Sequence, residues 1–209
     1  MTPPSCPADL LERAVHYGLE SMEAVGAGCL SRPTPCAGWD VHALLRHVND
    51  SVGAMLEAIE LGRVDLVPSE AEDEDGDPAA DLVAAFRGGT RRLLHTWSAA
   101  SHRIVIAGHP IAAELVAITG AIEIAVHGWD ISVACGRDRP IPAELAVDLL
   151  TLSPLVVNDA LRYPLFAAPV ATSWPAGPSD RLIAFLGRSP VGMDAAGEPA
   201  RRQFLRGER

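Results

Sequence analysis

Apolar residues in this chain recur at intervals of three and four, which is the spacing of helices that bury one face. The clearest such stripe comprises Val41, Leu44, Leu45, Val48, Val52, Met55, Leu56 and Ile59. Asp40 before the stripe is a favourable N-cap and Gly62 after it is a favourable C-cap, so the pattern predicts a helix over about 41–61. No stretch of the sequence sustains the alternation typical of strands, and we therefore expect an all-α fold.

The same periodicity predicts further helices on both sides of this one. We expect them at about 7–30, 78–100 and 142–161, with a short final helix that Ser179 caps and that ends near Leu186. The acidic segment 70–77 predicts a solvated loop between the second and third helices. Links of about 16 and about ten residues beside the third helix permit a four-helix bundle with one long crossover, plus additional C-terminal helices and coil.

The fourth helix is apolar on almost every side. It spans about 111–135, and no Lys or Arg occurs between Ile104 and Gly136. A helix of this kind lies in a protein core or crosses a membrane. Four ionisable residues interrupt the run, namely Glu114, Glu123, His127 and Asp130. Because no aromatic or basic flanks anchor it either, we expect a buried bundle helix and no membrane.

Glu123 and His127 are the strongest candidates for a chemical role in this helix. Positions i and i+4 lie on one helical face, so the carboxylate and the imidazole can converge on one point. A carboxylate in an apolar core is costly unless it is neutralised, paired or bound to a metal. A divalent metal would satisfy both side chains. The alternative is that the two residues only form a hydrogen bond inside the core.

Composition and charge narrow the classes of function. The chain has 209 residues, a net charge of -10 and no Lys, which argues against a nucleic-acid partner and excludes lysine Schiff-base or P-loop chemistry. The cysteines form no C-x-x-C pair, which favours reduced thiols over disulfides or a zinc–thiolate site. No signal peptide is visible at the N-terminus. We therefore predict a cytoplasmic protein.

His47 differs from the other histidines of the chain in its place on a helix. It lies on the flank of the second helix, about 100° from the middle of the apolar stripe. Its neighbours on that flank include Ala43, Ser51 and Ala54, and these small residues leave room for another helix or a ligand. Taken alone, this position is compatible with a structural, an exposed or a metal-binding histidine.

Three motifs carry a resemblance to a known family. Residues 33–47, PTPCAGWDVHALLRH, resemble the opening motif of the DinB/YfiT-like superfamily. The nearest branch is the actinobacterial one that includes the N-terminal metal-binding domain of mycothiol-dependent maleylpyruvate isomerase. Residues 123–130, EIAVHGWD, resemble the fourth-helix signature of that branch. Residues 167–170 and 180–188, AAPV and DRLIAFLGR, are similar to an actinobacterial subfamily of the same group.

The resemblance implies a DinB-like four-helix bundle that holds one divalent metal through two histidines and one carboxylate. By their positions in the motifs, the implied ligands are His47, Glu123 and His127. The implied metal is zinc, with nickel or another divalent ion as an alternative. Two histidines and one carboxylate leave a coordination position open, which is typical of a catalytic site. Asp130 would then either orient a ligand histidine or form a structural hydrogen bond.

Two functions stay open at this point. The first is a metal-dependent transferase or isomerase, in which a low-molecular-weight thiol such as mycothiol attacks a small electrophile. The second is a non-catalytic bundle of stress-response type that binds a metal or a small ligand. Two features favour the second function. The sequence has no clear general acid or base, and the region after Leu161 shows no strand alternation of the kind that a substrate domain would need. We expect a small-molecule partner, one domain over 1–190, a flexible tail over 191–209, and homodimer formation as an open alternative.

Overall fold

A computed structural model of the chain describes residues 6–64, 78–97, 103–157, 162, 166–172 and 175–190. The long elements in these ranges are helices: α1 Pro7–Met22, α2 Val41–Leu61, α3 Pro78–Trp97, α4 Ala113–Ala134, α5 Ala143–Val156 and α6 Pro178–Phe185. Short strands are also present: β1 Arg63–Val64, β2 Arg103–Ile106 and β3 His109–Ala112. The predicted all-α class is therefore confirmed, with a small sheet added to it.

Helices α1 to α4 form the bundle. α1 packs along α4 and also contacts α3, while α2 packs against both α3 and α4. α1 and α2 therefore lie on one diagonal of the bundle, and α3 and α4 lie on the other. α2 and α4 are thus neighbours, and they carry the ligands that the resemblance implies. α4 is long and apolar enough to cross a membrane, but 83% of its most apolar window is buried in the bundle, so it does not indicate a membrane protein.

The ends of α2 agree with the sequence pattern. The Asp40 carboxylate accepts the backbone N–H of Ala43 at 2.8 Å, which is the expected N-cap interaction. Gly62 follows the last helical residue and adopts the left-handed conformation at φ 67°. These two caps set where α2 begins and ends.

Two other helices are shorter than the periodicity predicts. α1 ends at Met22, and the region up to residue 30 contains only a 3-10 turn at Ala27–Cys29. The glycines at 26 and 28 make continued α-helix unfavourable there. α5 ends at Val156, two residues after Pro154, which removes a backbone donor inside the helix.

The last helix begins before the predicted cap. Gly177 occupies the cap position of α6, and Ser179 lies inside the helix. The Ser179 hydroxyl instead accepts the backbone N–H of Ile141 at 3.0 Å, which ties α6 to the segment before α5. The acidic segment 70–77, residues 98–100 of the predicted third helix, residues 158–161 of the predicted fifth helix and the tail 191–209 lie outside the described residues.

The small sheet was not expected from the sequence. β1 follows α2 directly and pairs in parallel with β2, and β2 pairs antiparallel with β3. β3 leads directly into α4, so this helix begins at Ala113 and not at about 111. The sheet therefore lies where α2 ends and α4 begins, beside the space between these two helices.

The close packing of α1 against α4 depends on Gly18. A Cβ atom at this position would lie 2.7 Å from Cγ2 of Ile124 and 3.2 Å from Cζ of Phe86, and both side chains are fully buried. We expect Gly18→Ala to lower the free energy of unfolding by about 1–3 kcal/mol, because overpacking displaces these neighbours.

The matched control for this prediction is Gly53→Ala on α2, where a Cβ atom would meet open space. This change should be neutral or stabilising by up to about 1 kcal/mol, because alanine has the higher helix propensity. Chemical denaturation of both variants measures the two effects. Equal losses of stability in both would show that the Gly18 contact is not tight.

Candidate metal centre

The structure brings His47, Glu123 and His127 together between α2 and α4. Oε2 of Glu123 lies 3.1 Å from Nε2 of His127 and 3.4 Å from Nε2 of His47. One ligand atom from each residue lies within 4.8 Å of the other two. Glu123 and His127 lie one turn apart on α4, and His47 reaches them from α2 because the two helices are neighbours.

The geometry of this three-residue cluster fits a small divalent ion. A tetrahedral zinc ion with bonds of about 2.0–2.1 Å holds its ligand atoms roughly 3.3–3.4 Å apart. The two separations from Glu123 Oε2, 3.1 and 3.4 Å, are close to that value. The donor set is two imidazole nitrogens and one carboxylate oxygen, which zinc and other divalent ions accept. The residues present therefore fit the group that the resemblance implies.

His127 is held in one orientation by a buried chain of polar contacts. Its Nδ1 lies 3.0 Å from Oδ2 of Asp130, and this pairing directs Nε2 toward Glu123. Asp130 is fully buried and also accepts hydrogen bonds from Nε of Arg188, at 3.1 Å to each oxygen, and from Nη2 at 3.0 Å. Carboxylates that hold metal-binding histidines in this way set both the tautomer and the orientation of the ring.

Arg188 connects this chain of contacts to the C-terminal part of the protein. It follows α6 and is 9% exposed, and its Nη1 also donates to the carbonyl of Leu186 at 3.2 Å. The charge of the buried Asp130 is thus neutralised by a buried guanidinium. The sequence motif 180–188 includes this arginine, but nothing in the motif indicates its role. The sequence feature that called for such a partner was Asp130, an acid on an apolar helix without a basic residue nearby.

The electrostatics of the cluster follow from these pairs. Burial alone would raise the pKa of the Glu123 carboxyl, but hydrogen bonds and charge interactions with His127 and His47 outweigh it and lower this pKa. Burial alone would lower the pKa of His127, but its bonds to Asp130 and Glu123 outweigh burial and raise this pKa to about 9. Burial of Asp130 is likewise outweighed by Arg188 and His127, so its pKa is lowered. Glu123 and Asp130 thus both favour the protonated imidazole of His127, and a metal ion that binds its Nε2 competes with that proton.

A second group of possible ligands shares one histidine with the first. Cys36, His127 and Asp130 also bring one ligand atom each within 4.8 Å. Two observations favour the first cluster. The Asp130 oxygens are already engaged by Arg188, and burial raises the pKa of the Cys36 thiol, which opposes the thiolate that a metal needs.

The cluster is more exposed at His47 and Glu123 than at His127. The side chains of His47 and Glu123 are 36% and 25% exposed, whereas that of His127 is 8% exposed. Trp39 packs edge-on against the His47 ring, with centroids 4.7 Å apart, and itself lies at the surface. Trp39 thus forms part of the rim of the site. Trp129, the tryptophan of the motif 123–130, is buried in the core.

The fold is an all-α, DinB-like helical bundle, and its second and fourth helices bring two histidines and one glutamate together. The chain belongs to the family described as the mycothiol maleylpyruvate isomerase N-terminal domain, whose model matches residues 11–132. This range includes all three residues of the cluster and also Asp130. Arg188 lies beyond it.

Two proteins of Mycobacterium tuberculosis are similar to this chain. They are the uncharacterized proteins MT0763 and Rv0738, from two strains, and each is 29% identical over 181 residues, which covers 79% of this chain and 88% of the relative. Neither has an activity in its name. These relatives show that the similarity extends over most of the chain, but they do not indicate a reaction.

Among solved structures, the chain is similar to a crystal structure of the mycothiol-dependent maleylpyruvate isomerase, with a TM-score of 0.61 and 16% identity. A mutant of that isomerase matches with a TM-score of 0.58 and 16% identity. Each alignment covers 93% of this chain and 95% of the other. At this identity the likeness shows the fold alone. Because the alignments cover nearly the whole of both chains, the two chains are similar in length. The substrate domain that we expected this chain to lack is therefore not an additional stretch of sequence in the isomerase.

Proposed function

We propose that this protein is a divalent-metal-dependent transferase or isomerase that uses a low-molecular-weight thiol of the mycothiol type on a small electrophile. The observation that carries the proposal is the convergence of His47, Glu123 and His127 on one partly open point. Zinc is the metal we expect, with nickel or another divalent ion as the alternative. The family and the fold support the thiol, because the solved relative is named as mycothiol-dependent.

Each residue of the site has a separate task in this proposal. His47, Glu123 and His127 would hold the ion, and Glu123 would offset part of its charge. Asp130 would keep His127 in the tautomer that presents Nε2, and Arg188 would keep Asp130 ionised and in place. A metal ion in such a site lowers the pKa of a bound thiol, so that the nucleophilic thiolate forms at neutral pH.

The metal is tested by the composition of the purified protein. We expect about one divalent ion per chain by elemental mass spectrometry. His47→Ala removes one of three ligands and should lose most of the ion. His42→Ala changes another histidine of α2, outside the cluster, and should retain it. Equal metal content in both variants would contradict the assignment of His47.

The reaction is tested by a thiol-conjugation assay on the metal-loaded protein. Mycothiol-dependent conversion of a small electrophile, either to a thiol conjugate or to an isomer, should depend on the metal and should be lost in His47→Ala. If the ion binds stoichiometrically and mycothiol promotes the conversion of no electrophile in the panel, the non-catalytic metal-binding bundle becomes the better description.

Under this proposal the protein acts in the cytoplasm, where thiols of this type are reduced. Homodimer formation stays a prediction.

A further inference from the structure

A cleft opens beside the three-residue cluster, on the side of His47 and Glu123. Its volume is about 350 Å³, which lies within the range of small-molecule sites. α2, α4 and the small sheet form its walls. Aliphatic side chains make up most of the wall, among them Ala54, Met55, Val64, Ile106, Ile111 and Leu115.

Among the residues that the structure describes, the walls of this cleft carry almost no charge. His47 and Glu123 are the ionisable ones that line it, and they lie 3.4 Å apart at the cluster. No Arg among the described residues lines the cleft. Its hydroxyl groups come from Ser51 and Thr119, and the Thr119 hydroxyl already donates to the carbonyl of Leu115 at 2.8 Å.

This distribution of charge constrains what the cleft can hold. A ligand group that binds at the polar end can interact with the cluster or with an ion held there. A second ionised group, further along the ligand, would lie against aliphatic walls without a partner, and this is costly. An alkyl chain in the same place would instead remove apolar surface from water on both sides.

We propose that the cleft binds the hydrocarbon body of the substrate, whose only polar, reactive group lies at the His47–Glu123 end. The substrate class is then an otherwise uncharged aliphatic electrophile and not a dicarboxylate such as maleylpyruvate. The inference rests on the proposed function for the reaction at the polar end. The apolar binding itself requires no metal, and so the two can be tested apart.

The first test measures binding of aliphatic alcohols to the chelator-treated full chain, by ligand-observed NMR. From butanol to hexanol, affinity should rise by about fourfold per methylene, the factor expected for burial of a CH₂ group. Adipate, a dicarboxylate with six carbons, should bind about tenfold or more weakly than hexanol, because its second carboxylate would lie against aliphatic walls without a partner. Adipate binding as tight as that of hexanol would overturn the inference.

Variants locate the binding in this cleft. Ala54→Leu narrows the cleft and should weaken hexanol binding about tenfold, whereas Ala43→Leu, at an exposed position of α2 that does not line the cleft, should leave it unchanged. Unchanged hexanol binding in folded Ala54→Leu protein would overturn the inference. If Ala54→Leu does not fold, Leu115→Ala carries the test, since a wider cleft should favour octanol over hexanol; no such change would count against the inference.

A second arm separates this inference from the proposed function. With zinc added, hexanohydroxamate should bind more tightly than hexanol, because its head group chelates the ion at the polar end. If zinc does not improve hydroxamate binding while the alcohol series behaves as expected, the metal proposal fails and the apolar specificity of the cleft is supported. If zinc improves binding and the alcohol series shows no dependence on chain length, the metal is supported and the inference fails.

Discussion

Replacing Arg188 with leucine should lower the free energy of unfolding by about 3–5 kcal/mol, the cost of leaving one charge of a buried ion pair without its partner. Asp130 is fully buried, and Arg188 donates to both of its oxygens. Leucine fills part of the space but cannot donate a hydrogen bond. The Asp130 carboxylate would then keep only its contact with His127 and would lose the guanidinium that neutralises it inside the bundle. Urea denaturation of the purified variant measures this loss.

Two comparisons make the Arg188 prediction specific. Arg181→Leu removes an exposed arginine from α6 and should change stability by no more than about 0.5 kcal/mol. Adding Asp130→Asn to Arg188→Leu should recover part of the lost stability, because the unpaired charge is then absent. The stability that Asp130→Asn loses in the wild-type background gives the reference. If Asp130→Asn lowers the stability of Arg188→Leu by the same amount, the two side chains do not interact, and loss of the ion pair does not explain the instability of Arg188→Leu.

The same substitution should also affect metal binding. Without Arg188, Asp130 holds His127 less firmly, and loss of such an orienting partner typically weakens metal affinity by about 10–100-fold. Competition with a chromophoric zinc chelator measures the change. A purely structural role for Arg188 would lower stability and leave the zinc affinity of the folded fraction unchanged.

The sequence predicted the part of the site that one helix determines. Glu123 and His127 are one turn apart on α4, and helical geometry alone places them on one face. His47 is on another helix, and its distance from Glu123 depends on how α2 and α4 pack, which no local pattern encodes. Its assignment therefore needed the family motif. The described structure brings its Nε2 to 3.4 Å from Glu123.

Arg188 and the sheet show where local reasoning ends. Arg188 pairs with an aspartate 58 positions earlier in the chain. The residues around Arg188 do not distinguish a buried, paired arginine from one exposed to solvent. The strands of the sheet are two to four residues long, too short to sustain an alternating pattern. The turn between β2 and β3 includes Ala107 at a positive φ of 49°, where glycine or asparagine would have been the usual signal. Yet this sheet supplies Val64, Ile106 and Ile111 to the cleft.

Replacing Glu123 with glutamine should abolish most of the stabilisation that zinc gives to the protein. For the wild-type chain, zinc at about 100 times its dissociation constant should add about 2.7 kcal/mol to the free energy of unfolding. Glutamine keeps the shape of the side chain but removes the negative charge that offsets the dication between two neutral histidines. The fold should survive without metal, because α4 is buried mainly through apolar side chains such as Ile122, Ile124 and Ile131.

Thermal melts of wild type, Glu123→Gln and Glu114→Gln, each with and without zinc, distinguish a ligand from a structural acid. Glu114 is an exposed residue in the first turn of the same helix and lies outside the cluster, so its variant should keep the full zinc-induced rise in Tm. In Glu123→Gln the rise should fall to a small fraction of the wild-type value. If the rise is the same in Glu123→Gln as in wild type, Glu123 only accepts hydrogen bonds from His47 and His127. The convergence of these side chains would then serve packing in the bundle, and the metal-dependent reaction would lose its structural basis.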